Sequence, residues 1–238
     1  MQILEGNGVT KYFGGLAAVS NVDFHVDQGE IFGLIGPNGA GKTTLFNLVS
    51  AAIVLKSGVI KFKGEKISGL KPYKICRKGI ARTFQSVKIF PNMSARDNVS
   101  LGALFGTSKS MVSASPKEAD ELLDFVNLSA MGMVPAGDLT LVNQKRLEVA
   151  AALATEPELL LIDELMAGLT PTETTEAMEL VTRIRDKGIT IFMIEHVMKA
   201  IMGVCDRIMV LHHGEKIAEG TPQEIATSKK VIEVYLGE

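Results

Sequence analysis

The sequence predicts an α/β fold: a mainly parallel β-sheet covered by helices on both faces, an N-terminal antiparallel β part, and an inserted helical subdomain. Three observations lead there. From Leu159 onward, short apolar strands alternate with helical segments, the pattern of a parallel sheet buried on both sides. The N-terminal segments are short, rich in apolar and β-branched residues, and separated by Gly-containing turns. Between the two, Met93 to Val134 loses the strand pattern, with scattered Ser, Met and Gly. A length of 238 residues suits one domain of this kind, with a core of residues 1–85 and 155–238 and a helical subdomain at 86–154.

In chain order, Ile3 to Thr10 and Val22 to Val26 read as strands about a turn at Gly14-Gly15. Glu30 to Ile35 is a compact apolar strand that enters a Gly-rich loop, and a helix follows from about Lys42 to Ser50. Val59 to Phe62 with the Lys63-Gly64 turn suggests a hairpin, Pro72 opens a short helix, and Ile80 to Phe84 reads as a strand. Ser115, Pro116 and Glu118 have the spacing of a capped helix start, and that helix runs to about Val126. A second helix is expected from about Gln144 to Ala154. Leu159 to Asp163 and Thr190 to Ile194 are strands, each followed by a helix, Thr172 to Asp186 and Val197 to Val204. Arg207 to Leu211 and Lys216 to Ala218 flank His213-Gly214 as a hairpin, and Pro222 to Thr227 and Lys229 to Tyr235 close the chain as short helices.

Composition narrows the function. With 25 basic and 27 acidic residues and no run of like charge, nothing suggests a nucleic-acid partner. Cys76 and Cys205 stand far apart, so neither a disulfide framework nor a metal spacing follows, and a reducing cytosol fits. MQILEGNGVT has neither the basic start nor the apolar stretch of a signal peptide. No window is apolar for long enough to span a bilayer, so service to a membrane would run through partners.

Two motifs carry chemistry. GPNGAGKT fits the phosphate-loop pattern G-x-x-x-x-G-K-[ST], and it has the required strand before it and helix after it. Gly36, Gly39 and Gly41 let backbone amides approach phosphate oxygens, with Pro37, Asn38, Ala40 and Thr44 completing the cradle. Lys42 supplies charge to the β- and γ-phosphates, Thr43 offers a hydroxyl to Mg²⁺, and the helix N-terminus favours the anion. The second motif, LLLIDE, is an apolar strand ending in two carboxylates. Asp163 takes the Mg²⁺-associated position, and Glu164, one residue on, can polarise an attacking water as general base. His25, His212 and His213 read as structural histidines, and the Met residues, Met198 and Met202 among them, as core filler.

The order of these motifs resembles the ABC ATPase cassette over essentially the whole chain, which implies a RecA-like P-loop core. RTFQ looks like the stretch carrying the Q-loop glutamine, so the resemblance implies that Gln85 reaches Mg²⁺ and the attacking water. IEHVM puts His196 at the switch-histidine position, which implies a γ-phosphate contact, and KYFGG puts Phe13 where the family has an aromatic that stacks on adenine. The closest likeness is to the ATP-binding subunits of branched-chain amino-acid importers, carried by GGLAAVSNV, GIARTFQ, IEHVMKAIMGVCDRIMVL and KKVIEVYLGE. The chain departs from the family at its signature. LSGGQ is matched by Leu139, Thr140, Leu141, Val142 and Asn143, so both glycines are lost while Thr140 keeps a hydroxyl for a partner subunit's ATP. Leu165 replaces the usual Pro after Glu164, and Thr170 the usual D-loop Asp.

The resemblance implies an ATPase that binds ATP and Mg²⁺ and pairs with a second cassette, as homodimer or heterodimer with a paralogue. It implies transmembrane permease subunits, indirectly a substrate-binding protein, and a peripheral place on the cytoplasmic face of the cell membrane. Amino-acid import is the first reading. A degenerate cassette regulating an active paralogue and the ATPase of a lipid or lipopolysaccharide exporter are its rivals. In the family the region of Ser86 to Asn98 faces the permease, so several of Val87, Ile89, Phe90 and Met93 are expected to be exposed.

Overall fold

The computed structural model describes residues 1–106 and 116–236. The chain runs β1 (Gln2–Phe13), β2 (Leu16–Asp27), β3 (Ile31–Ile35), α1 (Lys42–Val49), β4 (Ser57–Phe62), β5 (Glu65–Lys66), α2 (Pro72–Arg77) and β6 (Ile80–Arg82). It continues through α3 (Ala95–Ala103), α4 (Pro116–Phe125), α5 (Leu141–Leu153), β7 (Leu159–Asp163), α6 (Pro171–Asp186), β8 (Thr190–Ile194) and α7 (Met198–Val204). The chain closes with β9 (Arg207–His212), β10 (Glu215–Gly220), α8 (Pro222–Thr227) and α9 (Lys229–Leu236).

Two sheets result. The N-terminal one is antiparallel in the order β2-β1-β4-β5, and the second has the order β10-β9-β3-β8-β7-β6. In the second, β9, β3, β8, β7 and β6 are parallel neighbours and only the edge strand β10 is antiparallel. Period-two alternation divides its central strands between two cores. Phe32, Leu34, Leu161, Phe192 and Met209 face the antiparallel sheet and α1, where Phe192 meets Phe24, Phe32 and Phe46 at centroid distances of 6.0, 5.2 and 4.8 Å. Ile31, Ile35, Leu160, Ile162, Ile191 and Val210 face the opposite core, which runs on without a break into Val99, Leu123 and Leu147 of α3, α4 and α5. Strands buried on both faces explain the unbroken apolar runs in the sequence.

The expected elements are present, but β1 and β2 run longer than Ile3 to Thr10 and Val22 to Val26, and further differences fall in and beside the helical segment. Helix α3 lies in a part of the helical subdomain where no helix is expected from the sequence. Its Ser94 cap accepts from the Asp97 N–H at 3.1 Å, and Gly102 faces α5 so closely that a Cβ there would lie 2.3 Å from the Ala151 carbonyl oxygen. Helix α5 starts at Leu141, three residues before the expected Gln144, because the Thr140 hydroxyl accepts from the Asn143 N–H and caps the extra turn. Strand β6 stops at Arg82 instead of Phe84. The expected Ser115 cap lies outside the described residues. Met202 packs against the core as expected, whereas Met198, at the first position of the short helix α7, is exposed. Of the four apolar side chains expected to be exposed in Ser86 to Asn98, Phe90 is exposed, while Val87, Ile89 and Met93 are half-buried.

Candidate active site

A cavity of about 430 Å³ opens beyond the carboxyl ends of the parallel strands, where open α/β sheets bind ligands. The loop from β3 into α1 forms its floor, through Asn38, Gly39, Ala40, Gly41, Lys42, Thr43 and Thr44. Two glycines make this loop possible. Gly41 caps α1 at φ +103, and a Cβ there would lie 2.2 Å from the Ala18 carbonyl oxygen; a Cβ on Gly36 would lie 2.1 Å from that of Leu211. Gly36 and Pro37 stand behind the cavity wall, where their carbonyls accept from the Lys42 ammonium at 2.7 and 3.0 Å. Burial lowers the Lys42 pKa, opposed by the nearby carboxylates of Glu164 and Asp163.

Three segments distant in sequence converge at the far wall. Glu164 follows β7, His196 follows β8 and Gln85 follows β6, and all three line the cavity. His196 Nε2 lies 2.7 Å from Glu164 Oε1, and Gln85 Nε2 donates to Glu164 Oε2 at 2.9 Å. Such a carboxylate, aimed into a polar cavity that also holds an ammonium and a helix N-terminus, can take a proton from water beside a bound anion.

Asp163 is placed differently from its neighbour. It is buried behind the cavity wall, and its Oδ2 accepts from Arg82 at 2.7 Å. Its Oδ1 is buried without a hydrogen-bond partner. Burial raises the Asp163 pKa, and the Arg82 guanidinium counters this. Arg82 also donates to Asn47 of α1 and to Ser50, which caps that helix, so one side chain joins three elements beneath the loop.

Phe13 is 52 % exposed on the cavity rim, with the Lys11 ammonium 5.2 Å from its ring centroid, so it is a surface aromatic and not core. Thr140 lies outside this cavity, exposed at the start of α5. Thr170 caps α6 in a reciprocal box with Glu173. Several wall residues escaped the sequence reading: Leu16, Ala17, Ala18 and, against its structural reading, His213. His213 sits at φ +48 in the β9–β10 turn, and β9 neighbours β3, so sheet order brings that turn to the phosphate loop. The signal that could have found it is its place just past the end of a parallel strand.

Comparison with known proteins agrees with this geometry. Residues 19–167 match the family model described as ABC transporter, and residues 215–238 match that of the Branched-chain amino acid ATP-binding cassette transporter. The chain is 40% identical over 252 residues to the High-affinity branched-chain amino acid transport ATP-binding protein BraF of Pseudomonas aeruginosa, covering 99% of this chain and 98% of that protein. It is 38% identical over 250 residues to the LivG protein of Escherichia coli, which carries the same description, with the same coverage. Among solved structures it resembles the ADP conformation of an ATP-binding cassette of an ABC transporter, with a TM-score of 0.91, 30% identity and full coverage of both chains. It also resembles a dimeric post-hydrolysis cassette bound to ADP and Pi, with a TM-score of 0.83 and 25% identity, covering 92% of this chain and 98% of that one.

Proposed function

The chain belongs to the ABC transporter family of ATP-binding cassettes, whose members are ATPases, and we propose that it powers an importer of branched-chain or related amino acids. The observation that carries the ATPase reading is the convergence of Gln85 and His196 on Glu164 across the cavity from the phosphate loop. The cargo reading rests on the full-length likeness to BraF and LivG, which also favours it over a lipid or lipopolysaccharide exporter.

In this reading the amides of residues 38–44, the Lys42 ammonium and the N-terminus of α1 hold the phosphates, and Phe13 stacks on adenine. Glu164 takes a proton from the attacking water, oriented by Gln85, while His196 meets the γ-phosphate. The side chains fit Mg²⁺: the orphaned Asp163 Oδ1, the exposed Thr43 hydroxyl and Gln85 are hard oxygen donors. When bound, the cation supplies charge neutralisation to the phosphate oxygens.

The chain would act peripherally on the cytoplasmic face of the membrane, paired with a second cassette and docked on permease subunits served by a substrate-binding protein. Among the described residues no helix is long and apolar enough to cross a membrane. A groove of about 310 Å³ between core and helical segment, lined by Ile75, Cys76, Phe84, Lys88 and Glu148, supports permease docking there. A second reading, a regulatory partner of an active paralogue, is favoured by Leu141, 54 % exposed at the start of α5 in place of a glycine. Reconstitution with its permeases and binding protein in liposomes tests the proposal. ATP-dependent leucine uptake is expected; uptake driven by the partner cassette with this chain's Glu164 replaced by Gln would favour the regulatory reading.

A further inference from the structure

The turn that presents Glu164 is gripped from outside by two buried ionisable side chains. Lys145 of α5 is 7 % exposed, and its ammonium donates to the carbonyls of Glu164, Leu165 and Ala167 at 3.2, 2.9 and 2.7 Å. Glu195, the residue just past β8, is 2 % exposed, and its Oε1 accepts from the Met166 N–H at 2.8 Å. The turn's own bonds are weaker: Ala167 N–H to the Glu164 carbonyl at 3.4 Å and Leu169 N–H to the Met166 carbonyl at 3.3 Å. Glu164 itself has φ +53, a conformation that a non-glycine residue keeps only when its surroundings impose it.

An ammonium has three hydrogens, and Lys145 directs its three donor contacts to this one turn. Burying that charge is unfavourable. Desolvation lowers the Lys145 pKa, and the carboxylates of Glu195, Glu164 and Glu148 oppose the shift. An apolar side chain of similar length would fill the space without this cost, so packing alone does not explain a lysine here. Lys145 also belongs to the helix that Thr140 caps, so its bonds join the start of α5 to the Glu164 turn.

We propose that Lys145 is a positioning residue for Glu164: its ammonium fixes the backbone of residues 164–167, and so the direction of the Glu164 carboxylate, and fastens α5 to that turn. The proposal rests on the reading of Glu164 as general base. A displacement of about 1 Å in such a group can cost on the order of a hundredfold in rate, so the effect falls on turnover and not on ATP binding.

The test compares Lys145→Met, Lys145→Gln, Lys145→Arg and Glu164→Gln in the full chain. Steady-state ATPase rates, ATP titration calorimetry and thermal unfolding are measured for each. Lys145→Met should bind ATP within about twofold of wild type and lose roughly tenfold or more in kcat, and Lys145→Arg should restore most of that loss. If Lys145→Met does not fold, Lys145→Gln carries the same expectation with a smaller loss. A folded Met or Gln variant with wild-type kcat, or an Arg variant as slow as the Met variant, would overturn the role. Glu164→Gln separates the two ideas. Turnover surviving in Glu164→Gln removes the base reading, whereas an inert Glu164→Gln beside a fully active Lys145→Met removes only the positioning role.

Discussion

His196 Nε2 stands 2.7 Å from Glu164 Oε1, although the two residues follow different strands, β8 and β7. Both carboxylate oxygens of Glu164 are engaged, one by His196 and the other by Gln85. The carboxylate is therefore held by a neighbour at each oxygen, and this orientation is the central feature of the site.

The Lys42 ammonium sits on the cavity wall within 3.0 Å of two loop carbonyls, poised at the phosphate loop. Lys42→Ala should weaken ATP binding by about an order of magnitude or more, since charge-assisted contacts contribute roughly 1.5 to 3 kcal/mol. Titration calorimetry measures this, and an unchanged affinity would remove the phosphate-loop assignment.

Phe13 is free to stack because its ring lies exposed on the rim. Phe13→Ala should weaken ATP by about 1 to 3 kcal/mol and GTP by a similar amount, because stacking tolerates any base. Phe13→Tyr should recover most of it. Equal ATP affinity in wild type and Phe13→Ala, by the same calorimetry, would assign the ring another purpose.

Leu141 and Val142 occupy the first turn of α5 without positive φ, so the helix start forms without the glycines. Leu141 is exposed there and Val142 half-buried, so in the cassette reading bulky side chains stand where the family has glycines that meet a partner's ATP. The chain should hydrolyse ATP weakly as a homodimer and faster beside a cassette with an intact signature. Leu141→Gly with Val142→Gly should raise homodimer turnover, with folding checked by circular dichroism, since Val142 also lines a small cavity with Leu165 and Leu169. A homodimer already at full rate, with no gain from either change, would make the substitutions neutral.

Burial raises the Glu195 carboxyl from its ordinary 4.5 to about 7. Between those values the folded chain binds more protons than the unfolded chain, so this group's contribution is full below the lower value and is lost as pH rises through the upper one. Thermal midpoints should therefore fall more between about pH 5 and about pH 8 in wild type than in Glu195→Gln, which keeps an acceptor for the Met166 N–H and has no charge to bury. Parallel curves for the two proteins would acquit Glu195.

Local signals made much of this legible in the sequence. The phosphate loop is contiguous, its glycines answer to backbone approach, and the apolar runs at β3, β7 and β8 are what a doubly covered sheet requires. What escaped depends on tertiary placement. Helix α3 is short and carries a glycine that only the contact with α5 explains. His213 acquires meaning from the neighbouring of β9 and β3. Arg82 and Lys145 carry no local signal that marks them out, yet one is bonded to Asp163 and the other donates to the carbonyls of the Glu164 turn.

The central claim is that Glu164 takes the proton from water while the phosphate loop holds ATP. The most direct measurement is ATP binding and turnover of Glu164→Gln beside wild type, in the assembly that gives the higher wild-type rate. The expected result is retained ATP affinity, a stable nucleotide-bound dimer by size-exclusion chromatography, and turnover lower by roughly a hundredfold or more. Wild-type turnover in Glu164→Gln would contradict it.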